Sequence, residues 1–470
     1  MELFSEIMYF TLINEIIEEV YKNMTEIGIV AVGGYNEMGR NMTAVIIGED
    51  IIILDMGLRL DRVQIHEDVE IDKMHSLELI EMGAIPDDTI MKEINGTVRA
   101  IVCTHGHLDH VGAISKLAHR YNAPIISTPY TTAIIKQQIE AERKFEVCNR
   151  LIPLNAGGTY KVTADISIEF IRVQHSIIDC VIAVIHTPAG AILYACDFKL
   201  DRTPTMGEAP DFERLKALGK EGVIAMITES TNAGRSGKAP SERIAKDLVR
   251  DVLLETEESD VGMIVTTFAS HIARLKAIIE AAEEMGRIPV LMGRSMERYV
   301  GAARDLKYLE LPSNVEIYGM RKDIDKAFKR IMQEGKDKYL PIVTGHQGEP
   351  GAILVRIANG ETPYKIEPGD RVIFSANVIP SPMTQANRYA LETKLRMRGA
   401  RIYDNVHVSG HAYREDHWEL LRMVNPEHVI PAHGDMEMHG HYIELAEDAG
   451  YVLGDTVHLL RNGEVLYIEE

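Results

Sequence analysis

The segment Thr104-His105-Gly106-His107-Leu108-Asp109-His110 decides the fold, because it places three imidazoles and a carboxylate in one short run. It directly follows the apolar residues 98–103, which predict a strand. It precedes residues 111–120, whose apolar side chains recur at helical spacing. The polar side chains are therefore expected on a tight loop at the carboxyl end of a strand, where open α/β sheets commonly build their functional sites.

The composition of this loop indicates a metal site. Neutral imidazoles and carboxylates are preferred ligands of zinc and similar divalent ions. His105 and His107 can close on one ion from a turn, whereas Asp109 and His110 point elsewhere, toward a second ion. A loop that only caps a helix needs a single Asp or Ser, so capping explains this run less well.

Three residues downstream occur in a similar setting. His175, Asp197 and His433 each follow an apolar run that predicts a strand. Taken singly, His175 and His433 are more simply interpreted as loop residues. Taken together with the cluster at 105–110, the three complete a set of seven ligands, which divides well between two ions.

Length and composition limit the remaining possibilities. A chain of 470 residues with 46% hydrophobic residues predicts a globular protein of two or more domains. No apolar run approaches the ~18 residues that a membrane span needs, and the acidic start is unlike a secretory signal. The four cysteines show no paired spacing, which is typical of a reducing compartment. We therefore expect a cytoplasmic protein with no membrane partner.

The formal net charge of −21 argues against binding to nucleic acids, which usually requires a positive surface. Local charge can reverse this argument, and bound metal ions are themselves strong local positive charges. Six basic residues are expected in or near loops around the site: Lys199, Arg202, Arg235, Lys238, Arg274 and Arg294.

The order of predicted elements indicates one domain inserted into another. Residues 26–205 have the pattern of strands joined by short helices, after a short amphipathic helix predicted at the N-terminus. A turn-rich boundary near 205 is followed by alternating strands and longer helices, which predict a separate parallel sheet. His433 lies beyond this second unit although the first unit needs it as a ligand. The second unit is therefore most simply an insertion within the first.

These motifs resemble those of hydrolases with the metallo-β-lactamase fold, in the same order along the chain. The resemblance implies an αββα sandwich that binds two zinc ions. It assigns His105, His107 and His175 to one zinc, and Asp109, His110 and His433 to the other, with Asp197 bridging the two. Asp55, which follows the apolar run 51–54, is expected to hold a ligand imidazole by a hydrogen bond rather than to bind metal.

An inserted α/β unit between the fourth and fifth metal motifs is the architecture of the β-CASP branch of this fold. Glu229 in Thr228-Glu229-Ser230-Thr231 and His411 in Val408-Ser409-Gly410-His411 resemble the acidic and histidine motifs of that branch. A histidine at His433 is associated there with RNA as the substrate. The segments at 33–41, 196–201, 344–350 and 407–411 resemble the ribonuclease J family, and its archaeal form in particular.

This resemblance divides the chain into four predicted parts. Residues 1–24 form an N-terminal helical extension, and residues 25–210 form the first part of the metallo-β-lactamase domain. Residues 211–385 form the inserted β-CASP domain, and residues 386–470 the second part of the first domain. The chain departs from the family at His346, where a small residue is usual, and at Leu108, where an acidic residue is common. It also leaves no room for the further C-terminal domain of bacterial members.

The activity implied is that of a zinc-dependent ribonuclease acting in RNA processing or decay. It is expected to digest single-stranded RNA mainly as a 5′→3′ exonuclease that prefers a 5′-monophosphate, and to form a homodimer. Asp109, Glu229 and His411 are the predicted catalytic residues, with His411 protonating the 3′-oxygen leaving group. His407, Ser409, Gly410 and His411 are the predicted RNA-binding residues.

Four alternatives stay open at this point. An RNA endonuclease of the same branch has the same motifs. A small-molecule hydrolase of the metallo-β-lactamase fold has no need of the inserted unit, Glu229 or His411. A non-catalytic RNA-binding subunit typically loses metal ligands, and a DNA-directed member of the branch is disfavoured by His433.

Overall fold

A computed structural model describes residues 26–64, 71–256, 260–379 and 381–468. The helix predicted at 1–24 lies outside these ranges. Within them, no helix combines the length and the apolar character that crossing a membrane requires.

The first sheet has the strand order β19-β1-β2-β3-β4-β5-β6. Neighbours from β19 to β3 are antiparallel, and those from β3 to β6 are parallel. The strands are β1 (Ile27–Gly33), β2 (Met42–Ile47), β3 (Asp50–Leu54), β4 (Thr97–Cys103), β5 (Ile125–Ser127), β6 (Leu151–Pro153) and β19 (Glu464–Ile468).

The second sheet has the order β18-β11-β10-β9-β8-β7. Its central strand β10 pairs antiparallel with β9 and parallel with β11, which in turn pairs parallel with β18. The strands are β7 (Thr159–Lys161), β8 (Ser167–Arg172), β9 (Val181–Thr187), β10 (Gly190–Ala195), β11 (Val223–Glu229) and β18 (His428–Ala432).

These two sheets pack face to face, and helices cover their outer faces. Because successive side chains of a strand point to opposite faces, Ile29 contacts the second sheet while Val30 packs under helices. The core between the sheets joins Val45 and Ile52 to Ile168 and Ile192. The predicted αββα sandwich is therefore confirmed.

The third sheet is entirely parallel, with the order β14-β13-β15-β12-β16-β17. The central strands of this sheet consist almost entirely of apolar residues, as expected for a sheet that is covered on both faces. The strands are β12 (Met263–Thr266), β13 (Ile288–Met292), β14 (Glu316–Tyr318), β15 (Tyr339–Val343), β16 (Arg371–Phe374) and β17 (Arg401–Tyr403). The inserted α/β unit predicted from the sequence is therefore present.

The helices complete the layers. In chain order they are α1 (Leu60–Gln64), α2 (Ser76–Glu81), α3 (Leu108–Val111), α4 (Ile114–Leu117), α5 (Pro129–Ala141), α6 (Phe212–Glu221), α7 (Glu242–Glu255), α8 (Ile272–Glu284), α9 (Arg294–Asp305), α10 (Arg321–Glu334), α11 (Ile353–Asn359), α12 (Pro382–Met397), α13 (Arg414–Val424) and α14 (Met436–Asp448). Short 3₁₀ turns lie at Ile71–Lys73, Asp88–Lys92, Ala118–Arg120 and Lys336–Lys338.

The sheets divide the chain at slightly different places from the predicted boundaries at 211 and 386. Strand β11 was predicted within the inserted unit, but it pairs with β10 and β18 of the second sheet. Strand β17 and most of α12 follow residue 386, yet β17 pairs with β16 of the third sheet. A parallel strand has the same apolar pattern in either sheet, so the pattern alone does not reveal its neighbours. The three boundaries between the four predicted parts remain predictions as domain limits.

Candidate metal centre

The predicted ligands come together because each one follows the carboxyl end of a strand. His105 follows β4, His175 follows β8, Asp197 follows β10 and His433 follows β18. The parallel register pairs Ala195 with Thr228 and Glu229 with Ala432, so β10, β11 and β18 end at the same edge of the second sheet. Asp109 and His110 lie on the short helix α3 rather than on the loop itself.

Two of these strand ends have unusual backbone conformations. Asp55 has a φ of 59° and His433 has a φ of 48°, the left-handed region that non-glycine residues rarely adopt. His433 is held there by a hydrogen bond from its N–H to the Gly34 carbonyl at 2.7 Å. Thr231 Oγ1 also donates to the His433 carbonyl at 3.3 Å. Such conformations cost about 1–3 kcal/mol and are concentrated at functional sites.

The first group of ligand atoms consists of three imidazole nitrogens and a carboxylate. His107 Nδ1 lies 3.1 Å from His105 Nε2 and 3.1 Å from His175 Nε2. Asp197 Oδ2 lies 3.3 Å from His175 Nε2 and 3.6 Å from His105 Nε2. These four side chains can hold one metal ion.

The second group lies on the other side of Asp197. Asp197 Oδ2 is 3.4 Å from His110 Nε2, and its Oδ1 is 3.4 Å from His433 Nε2. Asp109 Oδ2 is more distant, at 3.7 Å from His110 Nε2 and 3.8 Å from His433 Nε2, and its side chain is 32% exposed. Asp197 is therefore placed between the two groups, as a bridging ligand must be.

The hydrogen bonds on the far side of each ring test whether these residues fit a metal. His110 Nδ1 donates to Asp55 Oδ2 at 2.8 Å, His175 Nδ1 to the Gly410 carbonyl at 2.8 Å, and His433 Nδ1 to Asn41 Oδ1 at 2.9 Å. Because a neutral imidazole has only one N–H, the other nitrogen of each ring has a lone pair that points into the centre.

In the neutral rings these lone pairs face one another and the Asp197 carboxylate, an arrangement that a bound metal ion would stabilise. Asp197 Oδ1 is buried and has no hydrogen-bond partner among the described residues. A tetrahedral zinc with bonds of about 2.0–2.1 Å places neighbouring ligand nitrogens about 3.3 Å apart, close to the spacing observed in the first group. The residues present therefore fit two ions of the zinc type.

Burial prepares the imidazoles for metal binding. It lowers the pKa of His105 and His175 well below the usual range, and that of His107 to about 4, so these rings are neutral at pH 7. Burial also acts on His110, but the Asp197, Asp109 and Asp55 carboxylates outweigh it and raise the pKa of that ring. A bound metal would displace that proton.

Glu229 and His411 form a charged pair beside the first group. Glu229 is fully buried, and its Oε2 accepts a hydrogen bond from His411 Nδ1 at 2.7 Å. Its Oε1 accepts from the Phe198 N–H at 2.9 Å, so both oxygens are fixed. Burial lowers the pKa of His411, but Glu229 and Asp197 outweigh this effect and raise it to about 9. The contact that the predicted role of Glu229 requires is present, while both catalytic roles stay predictions.

The turn that leads to His411 contributes mainly acceptors. The Ser409 carbonyl accepts from Lys199 Nζ at 2.9 Å, and Ser409 Oγ accepts from the His411 N–H at 3.1 Å. The Gly410 carbonyl is occupied by His175. The donor at this turn is therefore the Lys199 ammonium group that Ser409 holds, and the predicted RNA-binding role of Ser409 and Gly410 stays a prediction.

His407 lies outside both groups of ligand atoms. Its Nδ1 accepts a hydrogen bond from Arg274 Nη1 at 3.1 Å. Burial, together with the positive charge of Arg274, lowers its pKa to about 2. Its predicted role in RNA binding stays a prediction.

Three of the six basic residues expected around the site form ion pairs with carboxylates. Arg274 is completely buried and forms two hydrogen bonds with Glu242, at 2.7 and 2.9 Å. Arg202 and Lys238 both pair with Glu419. Arg235 stacks over the Tyr413 ring, Lys199 is buried against Ser409, and Arg294 opens helix α9.

Three residues at the centre were not predicted. Asn41 Oδ1 holds His433, while its Nδ2 donates to the Asp109 carbonyl at 3.0 Å and lies 3.2 Å from His110 Nε2. Ser270 belongs to the inserted unit that is built around the third sheet, β12 to β17, which we call the third-sheet unit. Its Oγ lies 3.2 Å from His107 Nε2. Cys196 lies within the second ligand group, where burial raises the pKa of its thiol. Asn41 ends a segment that already resembled a known family, whereas Ser270 had no sequence signal.

Comparison with known protein families matches three parts of the chain. Residues 90–211 match the "Beta-lactamase superfamily domain", residues 260–391 match "Ribonuclease J, beta-CASP domain", and residues 396–459 match "Zn-dependent metallo-hydrolase RNA specificity domain". The three matches follow the order in which the sheets and ligands occur along the chain.

Two archaeal proteins are similar over almost their whole lengths. Ribonuclease J of Methanocaldococcus jannaschii is 56% identical over 441 residues, which cover 94% of this chain and 98% of that protein. Ribonuclease J of Pyrococcus abyssi is 51% identical over 451 residues, which cover 96% of this chain and 99% of that protein.

A solved structure supports the fold independently. The crystal structure of a protein of unknown function from Enterococcus faecalis superimposes with a TM-score of 0.63 at 17% identity, covering 94% of this chain and 100% of that one. At that identity it supports the fold alone. With both archaeal relatives above half identity along nearly the full length, this chain belongs to the ribonuclease J family of metallo-β-lactamase-fold proteins.

Proposed function

We propose that this chain is a zinc-dependent ribonuclease that acts mainly as a 5′→3′ exonuclease on single-stranded RNA and prefers a 5′-monophosphate. The observation that carries the proposal is the convergence of six other candidate ligand side chains around Asp197, with the Glu229–His411 pair beside them. Membership of the ribonuclease J family and the match to an RNA specificity domain support RNA as the substrate.

The ligand set would hold two zinc ions, with His105, His107 and His175 around one and Asp109, His110 and His433 around the other. Zinc ions bound there lower the pKa of water and neutralise charge on a phosphodiester. The described protein groups supply the remaining chemistry, which concerns orientation and proton transfer.

We assign His411 the role of acting on the leaving group. Its ring lies 4.8 Å from the His175 ring and 6.0 Å from the His433 ring, so it faces both halves of the centre. Hydrolysis joins a water oxygen to phosphorus and breaks the bond from phosphorus to the 3′-oxygen. A protonated His411 donates its proton to that oxygen, while Glu229 stabilises the imidazolium and fixes its orientation.

A cavity beside the metal ligands supports the preference for a 5′-monophosphate. Its lining includes Lys199, His271 and Gly410 together with the carboxylates Asp201 and Glu242. The Lys199 ammonium group has three N–H donors, of which the Ser409 carbonyl uses one. A single phosphate can accept from Lys199, whereas the further charges of a triphosphate meet two carboxylates in a confined space.

Labelled RNA tests both the direction and the end preference. RNA labelled at a 5′-monophosphate should release its label at once as a mononucleotide, and 5′-triphosphate RNA should be digested more slowly. Discrete long fragments from 5′-labelled RNA, with no effect of the triphosphate, would instead indicate an endonuclease. Metal analysis of the purified protein should find two zinc ions per chain.

The biological setting goes beyond these measurements. A role in RNA processing or decay, a homodimeric state and a cytoplasmic location remain predictions. Light scattering of the purified protein tests the homodimer, and fractionation of cells that contain the chain tests the location.

A further inference from the structure

We propose that Ser270 positions the metal ligand His107, so that the third-sheet unit completes the metal site. This inference rests on the proposed zinc site. His107 Nδ1 faces the other two imidazoles of the first group, which makes it the ligand atom. Its Nε2 then carries the proton and donates to Ser270 Oγ at 3.2 Å, 163 residues further along the chain.

The hydroxyl is held rigidly by the third sheet. Ser270 lies in the turn between β12 and α8 and is 8% exposed. On one side of it, Thr267 Oγ1 donates to the Ser375 carbonyl at 2.9 Å. On the other side, the Ile272 N–H donates to the Ser270 carbonyl at 3.0 Å. The hydroxyl therefore moves only when this part of the third-sheet unit moves.

The other ligand imidazoles obtain their supporting partners differently. His110 and His433 are oriented by Asp55 and Asn41, which belong to the first sheet and its loops. His107 instead depends on a side chain from the separate parallel sheet. Tyr299 in α9 adds a second contact to the same loop, because its hydroxyl donates to the Gly106 carbonyl at 3.4 Å.

This arrangement couples metal binding to the docking of the third-sheet unit. A hydrogen bond that orients a ligand imidazole commonly changes metal affinity by about 10–100-fold. Because the bond forms only when the third-sheet unit is docked, metal binding and docking must favour each other by the same factor. RNA that brings the third-sheet unit against the sandwich would thereby also increase the affinity for the metal.

Two pairs of proteins isolate the hydroxyl. Wild type is compared with Ser270→Ala, which removes the oxygen atom, and Ser270→Thr is compared with Ser270→Val, which keeps the shape but has a methyl group in place of the hydroxyl. Ser295→Ala, at an exposed position of α9, is the matched control. Each zinc-loaded protein is mixed with a chromogenic chelator, and the rate of zinc release is recorded.

Within each pair, the protein that lacks the hydroxyl should release one zinc about tenfold faster, and Ser295→Ala should match wild type. Zinc loading should also slow amide hydrogen exchange at 267–272 in wild type but much less in Ser270→Ala. Equal release rates within both pairs, or equal zinc-dependent protection in Ser270→Ala, would overturn the inference. A wild-type protein that binds no zinc would instead refute the proposed function.

Discussion

Replacing Glu229 by Gln should slow RNA hydrolysis by a factor that depends on pH. Gln has nearly the same shape as Glu but lacks the charge that keeps His411 protonated. Burial lowers the pKa of His411, and Glu229 is the largest opposing influence. We therefore expect its pKa to fall from about 9 to about its ordinary value of 6.5.

The size of the effect follows from these two values. At pH 8, about 0.9 of His411 is protonated at a pKa of about 9, but only about 0.03 at a pKa of 6.5, a loss of about 30-fold. At pH 6 both forms are mostly protonated, and the loss is less than about twofold. Bound zinc lowers both pKa values and shifts this window to lower pH. The loss of rate must still grow as the pH rises from the pKa of His411 in Glu229→Gln to its pKa in wild type.

The assay is single-turnover digestion of 5′-monophosphate RNA from pH 5.5 to 9, with metal content verified for each protein. Glu169→Gln is the matched control, because it breaks another Glu–His pair, at 2.7 Å from His186, away from the metal ligands. It should leave the rate unchanged at every pH. A loss of rate in Glu229→Gln that is the same at all pH values would refute the reasoning. Glu229 would then only orient His411 and would not control its protonation.

Stability of the metal-free protein provides an independent check. A histidine whose pKa is raised on folding adds stability that is fully present below about pH 6.5 and is lost as the pH rises through about 9. The charge of Glu229 should therefore contribute about 3 kcal/mol at pH 6 and almost nothing above pH 9. Denaturant unfolding of both proteins at the two pH values measures this difference.

Three other changes test the centre. Asp197→Asn should remove the bridging charge, lower zinc content below two per chain and reduce turnover by at least ~100-fold, as metal analysis and RNA digestion will reveal. His411→Ala should lower turnover far more than RNA affinity, whereas His407→Ala should mainly lower the melting temperature, since it removes a largely buried ring that packs against and accepts from Arg274. Gly410→Ala should destabilise the protein by about 1–3 kcal/mol, because a Cβ there would lie 2.6 Å from Ser176 Cβ; unchanged melting would contradict this.

The fold was largely predictable, and the candidate ligand set could be proposed, because both depend on local pattern. Each ligand follows an apolar run, and strands that end together place such residues at one edge of a sheet. His105, Asp197 and His433 were found in this way although up to 328 positions separate them. The layers of the sandwich were predictable through the resemblance, which followed from the order of the same motifs.

Asp55 was predicted to hold a ligand ring, but two other residues that contact the ligands were not predictable for the opposite reason. Asn41 and Ser270 are single polar residues whose importance arises only from tertiary contacts with His433 and His107. Neither lies in a repeating pattern, and a hydroxyl or amide has many other uses in a turn. The sheet neighbours of β11 and β17 were not predictable either, because a parallel strand does not encode its neighbours.

The charges around the site bear on how such an acidic chain can bind RNA. Arg274 is paired with Glu242, and Arg202 and Lys238 share Glu419, so these cations offer little net attraction to a phosphate chain. Lys199 is the buried cation that faces the cavity beside the ligands. Two divalent ions would concentrate positive charge at the place where the scissile phosphate must lie. Attraction is thus concentrated at the reaction centre rather than spread along a basic surface, and RNA affinity should fall when zinc is removed.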